Sequence, residues 1–208
     1  MASTIIHLAV AKELEPILNI KNKYDYYLGS IAPDISKQIG KTKYESHFLK
    51  NTYSNDIPNI ELFKEKYPNF RNNDFDLGYY IHLYTDKIWF EKYIKEFYYN
   101  NSLKLLDGTI INTTEEEIQQ IIYSDYSNLN IQIIEKYNLD LSLFYEDFKI
   151  PKTEINEIPI EFLDILINKM GIIIENSKQE KNYTFDIKIV EKFINEVSNK
   201  IKKELNDI

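Results

Sequence analysis

The sequence contains no cysteine. Disulfides and cysteine-rich zinc sites are therefore excluded. Five glycines and six prolines are few for a turn-dense β protein, and the balance favours helices. No run of about 20 apolar residues exists, so no transmembrane helix is expected. Basic residues are in deficit, 25 Lys and Arg against 33 Asp and Glu, for a net charge of −8. That balance argues against non-specific nucleic-acid binding and against docking on anionic lipid. The segment MASTIIHLAVAKELEPIL lacks a basic leader, and His7, Lys12, Glu13 and Glu15 interrupt its apolar residues. No secretory signal is read there, and a cytoplasmic protein is expected. The wealth of Ile, Lys, Asn and Tyr resembles the product of an AT-rich bacterial genome.

What is present suits one compact domain over residues 1–208, with 43% hydrophobic and 28% charged residues. Residues 3–18 read as a helix with Ile6, Val10, Leu14 and Ile17 on one stripe, capped by Ser3 or Thr4 and ended or kinked by Pro16. A Tyr-rich helical turn, YDYYLGSIAPDI, breaks at Gly29 and Pro33. Residues 40–55 read as a polar loop around Ser46-His47-Phe48, and a short helix is expected over 57–67. The longest helix is predicted over 74–99, where Phe75, Gly78, Tyr79, His82, Asp86, Trp89, Phe90, Tyr93 and Phe97 share a face. Residues 103–112 read as a small hairpin or a loop around Asp107-Gly108. A capping box at Thr113 to Glu117 starts a helix expected to end near Tyr126. Shorter helices over 131–137 and 141–148 and two long ones over 160–177 and 184–205 follow. The expectation is an all-α multi-helix bundle, with a metal site between the helices of residues 1–100 and supporting helices over 113–208.

The candidate chemistry lies on the long helix. His82 and Asp86 are four residues apart, one turn along an otherwise apolar and aromatic face. A carboxylate there needs a partner or a cation, and imidazole with carboxylate suits zinc. The bland alternative is a His–Asp hydrogen bond inside a helical core. Read singly, His7 is a core histidine in the first helix, His47 a surface histidine, and Asp34 part of an ordinary Pro-Asp turn. Read together, three His and two well-placed Asp fall within residues 1–86, and no histidine follows. Tyr26, Tyr27, Tyr79 and Trp89 are placed either in a pocket or, more economically, in the core.

The strings STIIHLAVA, YYLGSIAPDI, SHFL and LGYYIHLYTDKIW, in that order, resemble the zinc-dependent phospholipase C family of bacterial hydrolases. That family shows an early His, a Gly-Ser-x-Ala-Pro-Asp turn, a Ser-His-Phe and a His-x-x-x-Asp on a long helix. The resemblance covers residues 4–90 and implies a helical bundle around a metal cluster. It implies that Asp34, His47, His82 and Asp86 ligate one zinc, and that His7 ligates a neighbouring zinc bridged by Asp86. Asp34 is implied to orient or deprotonate the attacking water. Secreted members add a mature N-terminal amine and carbonyl well ahead of their first His; here six residues precede His7. Trinuclear members add later histidines and a Glu just after the His-x-x-x-Asp; here Trp89 to Tyr93 follow, so one or two metals are expected. The helical phosphohydrolases with an adjacent His-Asp doublet rank below, since the doublet is lacking. The function expected is metal-dependent hydrolysis of a small-molecule or lipid phosphoester. The alternative is a binding module with a purely structural, closed four-ligand metal site.

Overall fold

A computed structural model describes residues 2–50, 57–145 and 147–206. It is mostly helical, with one small antiparallel sheet. The helices are α1 (Thr4–Leu14), α2 (Lys23–Gly29), α3 (Ile35–Gln38), α4 (Ile60–Lys66), α5 (Asp74–Ile88), α6 (Ile94–Phe97), α7 (Glu115–Tyr137), α8 (Asp164–Glu175) and α9 (Ile187–Asn206). The strands are β1 (Tyr98–Tyr99), β2 (Ser102–Lys104) and β3 (Ile110–Asn112), in the order β1-β2-β3. Among the described residues no helix is long and apolar enough to cross a membrane.

Side-chain caps start most of these helices, satisfying amides that have no intrahelical acceptor. Ser3 Oγ accepts from Ile6 N, Asn59 Oδ1 from Leu62 N, Asn73 Oδ1 from Phe75 N and Asp76 N, and Thr114 Oγ1 from Glu117 N. α5 is central and packs against α1, α2, α4 and α9, while α1 also packs on α7 and α9. The contact between α2 and α5 is made by glycine on both sides. A Cβ on Gly29 would lie 2.1 Å from Phe75 O, and one on Gly78 2.1 Å from Tyr26 O. Only hydrogen fits at either position, so the two backbones approach as closely as helices can.

The elements differ from expectation where polar residues found distant partners. α7 does not stop near Tyr126, and no separate helix spans 131–137; it runs on to Tyr137 and ends at Asn138, whose φ is 47°. Its mid-helix polar residues tie down the chain ahead of α9. Asn128 Nδ2 donates to Lys181 O, Asn130 Nδ2 to Ser177 Oγ, and buried Asp125 accepts the amides of Tyr183 and Thr184. The long helix over 74–99 is interrupted by a π-helical turn at Trp89–Tyr93 and ends at Phe97. Trp89 is fully buried there, edge-on to Phe193 and Phe185. Among the described residues of the segment expected as a helix over 141–148, a 3₁₀ turn, Ser142–Tyr145, is formed, and Asp140 Oδ1 accepts from Ser142 N in an Asx turn at its start. The hairpin expected over 103–112 is present and gains β1 as a third strand. Part of the loop read over 40–55 lies outside the described residues.

Candidate metal centre

All five sequence-selected residues meet in one buried cluster. His7 stands at the end of the first turn of α1, among otherwise apolar buried residues. Asp34 closes the 3₁₀ turn Ala32–Asp34, where Pro33 supplies the fixed φ that the turn requires. His82 and Asp86 project from one side of α5. His47 sits in a tight loop whose next residue, Phe48, has φ 52°, a conformation that costs a bulky residue about 1–3 kcal/mol. The Phe48 ring is held edge-on between Phe63, Tyr67 and Tyr79. Tyr79 Oη donates to Ser46 O at 2.5 Å, which ties the same loop to α5. The reading of His47 as a surface residue is therefore corrected: it is 1% exposed. Its signal in sequence was Phe48, whose apolar ring carries the loop inward.

His82 Nδ1 lies 2.8 Å from Ser30 O, an acceptor only, so this nitrogen carries the proton and Nε2 presents a lone pair. His47 Nδ1 lies 2.9 Å from Ser46 Oγ, and the tautomer of His47 sets which of the two donates. The two Nε2 atoms are 3.3 Å apart. The His7 ring stacks on His82 with centroids 3.7 Å apart. Asp86 lies among them: Oδ1 accepts from Ala2 N at 3.0 Å and is 3.3 Å from His7 Nε2, while Oδ2 is 3.5 Å from His47 Nε2 and 3.8 Å from His82 Nε2. Asp34 Oδ1 is 3.8 Å from His47 Nε2.

These approaches are contacts without hydrogen-bond alignment. Among the described residues His7 Nδ1 and Nε2, Asp34 Oδ1 and Asp86 Oδ2 are buried with no hydrogen-bond partner. Buried polar atoms left unpaired in such number are costly, and a cation held between them removes the cost. Two ligand sets have donor atoms all within 4.8 Å of one another, His7–Asp34–His82 and His47–His82–Asp86. An all-nitrogen-and-oxygen set of this kind fits zinc and related divalent ions. Burial pushes the His82 imidazolium well below its ordinary range, with His7 adding to the effect, so His82 is neutral, the form a ligand needs. Burial alone would raise Asp86, but the imidazoles of His47 and His7 outweigh it and hold the carboxyl well below the usual range.

Sequence reasoning missed the groups that orient the ligands. The Ser30 carbonyl, the Ser46 hydroxyl and the Ala2 amide each bond one ligand. Ser30 and Ser46 stood inside the motif strings, but a backbone carbonyl leaves no trace in residue identity. Tyr26, Tyr27, Tyr79 and Trp89 are buried and belong to the core. Tyr26 Oη donates to Ala11 O and Tyr27 Oη to Glu15, binding α2 to α1. Set against family models, curated proteins and solved structures, the chain matches none of them.

Proposed function

We propose that the chain is a zinc-dependent hydrolase of phosphoesters and that the His/Asp cluster is its catalytic centre. The observation that carries this reading is the place of Asp34. It belongs to the buried cluster, has an unpaired Oδ1, and lines a cavity of about 220 Å³. A closed structural site presents no ligand at an opening, whereas a catalytic one keeps a position for water or substrate. The resemblance to the zinc-dependent phospholipase C family supports the same chemistry.

Asp34, His47, His82 and Asp86 would hold one ion, and His7 with Asp86 a second, weaker one. Zinc held there would supply a water acidified towards a pKa of about 7 and would offset charge on the non-bridging phosphoryl oxygens. The chain's own groups do the rest. Asp34 orients the attacking water and takes its proton as the new oxygen–phosphorus bond forms. The ester oxygen–phosphorus bond breaks, and the proton passes to the departing alcohol oxygen. Phosphoester and water give phosphate and alcohol. The bond from His82 to Ser30 O keeps the ligand nitrogen fixed in direction. The substrate is a small-molecule or lipid phosphoester, met in the cytoplasm.

A second reading is favoured by the full burial of His7, His82 and Asp86: the metal is structural and the protein a binding module. A phosphoester panel separates the two. Metal-dependent turnover, lost with chelator and in Asp34→Asn, supports the hydrolase. Absence of turnover on every ester, together with chelator-induced unfolding, supports the module.

A further inference from the structure

Beside the cluster two depressions share part of their lining and form the two sides of a cleft. The smaller is the cavity that Asp34 lines, with Ser3 and Thr4 at the start of α1 on one side and Asn130 of α7 on the other. The larger, a groove of about 550 Å³, has an apolar wall from Leu49, Phe90, Ile94 and Ile122 and charged lining from Lys41, Lys43 and Glu115. Lys37, Tyr123 and Tyr126 line both. Lys37 therefore stands at the junction, one turn after Asp34 on the same short helical segment.

Lys12, Lys64, Lys92 and Lys136 each lie against a carboxylate. Lys37 does not: among the described residues its ammonium donates to Tyr123 Oη at 2.6 Å and lies 4.4 Å from the centre of that ring. A phenol and a π-face hold a cation in place without neutralising it. The cleft thus offers Lys37 as a positioned cation between the His/Asp cluster and the larger groove, whose lining also carries Lys41, Lys43 and Glu115.

We propose that Lys37 is the specificity-determining cation of this cleft. It binds a non-bridging oxygen of a phosphoryl group at the cluster, and so selects phosphomonoesters of an apolar alcohol over phosphodiesters. The alcohol portion lies in the groove of Leu49, Phe90, Ile94 and Ile122. A monoester carries a charge of about −1.5 to −2 at neutral pH, and a diester has one ionisable oxygen fewer. Lysine reads that difference as a point charge. The inference rests on the phosphoester reading for its reaction and on the cleft alone for its anion.

Two measurements on the metal-loaded protein test it. In calorimetry, phenylphosphonate should bind wild type more tightly than methylphosphonate does. Lys37→Gln should weaken phenylphosphonate about 10–100-fold, the range of one charge-assisted hydrogen bond, and Lys37→Arg should restore most of it. In turnover, Lys37→Gln should lower kcat/KM for 4-nitrophenyl phosphate by a similar factor and that for methyl 4-nitrophenyl phosphate by less than about threefold. Lys37 is exposed and is not part of the core, so the variants fold. Phosphonate binding that does not change in Lys37→Gln overturns the inference, as does an equal loss on both esters. Lys37-dependent phosphonate binding without turnover of any ester upholds the anion site and rejects the hydrolase reading beneath it.

Discussion

Ser46 makes its contribution through one oxygen. Its hydroxyl is the partner of His47 Nδ1, and it sets which nitrogen faces the cluster. Removing such an orienting partner typically costs a metal site about 10–100-fold in affinity. Ser46→Ala should therefore weaken metal binding by that factor in a chelator competition, with the fold retained; unchanged affinity would show that His47 is oriented by packing alone. Asp76 is a different case. Burial pushes its carboxyl up to about 6, against a stabilising hydrogen bond from Thr153. A carboxyl raised in the folded state contributes most below its unfolded value near 4 and loses that contribution as pH rises through 6. The ionised form at pH 7.5 thus costs about 3 kcal/mol by the shift alone, offset by about 1 kcal/mol of favourable placement in the first turn of α5. Asp76→Asn should stabilise the protein by about 1–2 kcal/mol at pH 7.5 in urea unfolding, and the gain should vanish below pH 4. A gain that grows on acidification would contradict this sign. The ligand residues themselves were legible in the sequence because His and Asp are rare on apolar faces. Their orienting partners were not, because Ser30 acts through its backbone and Ser46 acts on its neighbour.

Among the elements, the α2–α5 pair decides the geometry of the centre. The close approach at Gly29 and Gly78 sets Ser30 O against His82 Nδ1. Gly78→Ala would drive a methyl group into Tyr26 O and Ser30 N. It should destabilise by at least the 1–3 kcal/mol typical of overpacking and lower metal affinity together with stability. Gly171, inside α8, has no neighbour within 4 Å of an added Cβ. Gly171→Ala should stabilise by about 0.5–1 kcal/mol through helix propensity, without touching the metal. Thermal unfolding of both variants, with and without added zinc, checks the contrast. Helix starts were readable because caps are local in sequence, as at Ser3 and Thr114. Helix ends were less so. α7 passes through Ser127 and Asn128, which look like a terminus, because Lys181 and the segment from Ser177 to Phe185 supply partners 47–60 residues away. Likewise the π-helical turn at Trp89 answers to packing from Phe185 and Phe193, which no window around Trp89 contains.

At the scale of the whole molecule, α1, α2, α5 and the loop of His47 bring His7, Asp34, His47, His82 and Asp86 together in a buried cluster, and α7, α8 and α9 complete the bundle. The all-α architecture followed from helical spacing and scarce glycine. That His7 and Asp86, 79 positions apart, touch was legible only through the four-part motif order, since periodicity says nothing about which faces meet. A metal bound to the folded form alone should stabilise it by mass action, by about 2.7 kcal/mol at a hundredfold excess over Kd. The most direct test of the central claim is the metal content of the protein purified from zinc-supplemented culture, measured by elemental analysis for wild type, His82→Ala and Asp86→Ala. The account predicts at least one tightly held divalent ion per chain in wild type and its loss in both folded variants. A metal-free wild type, or the same metal content in all three, would contradict it.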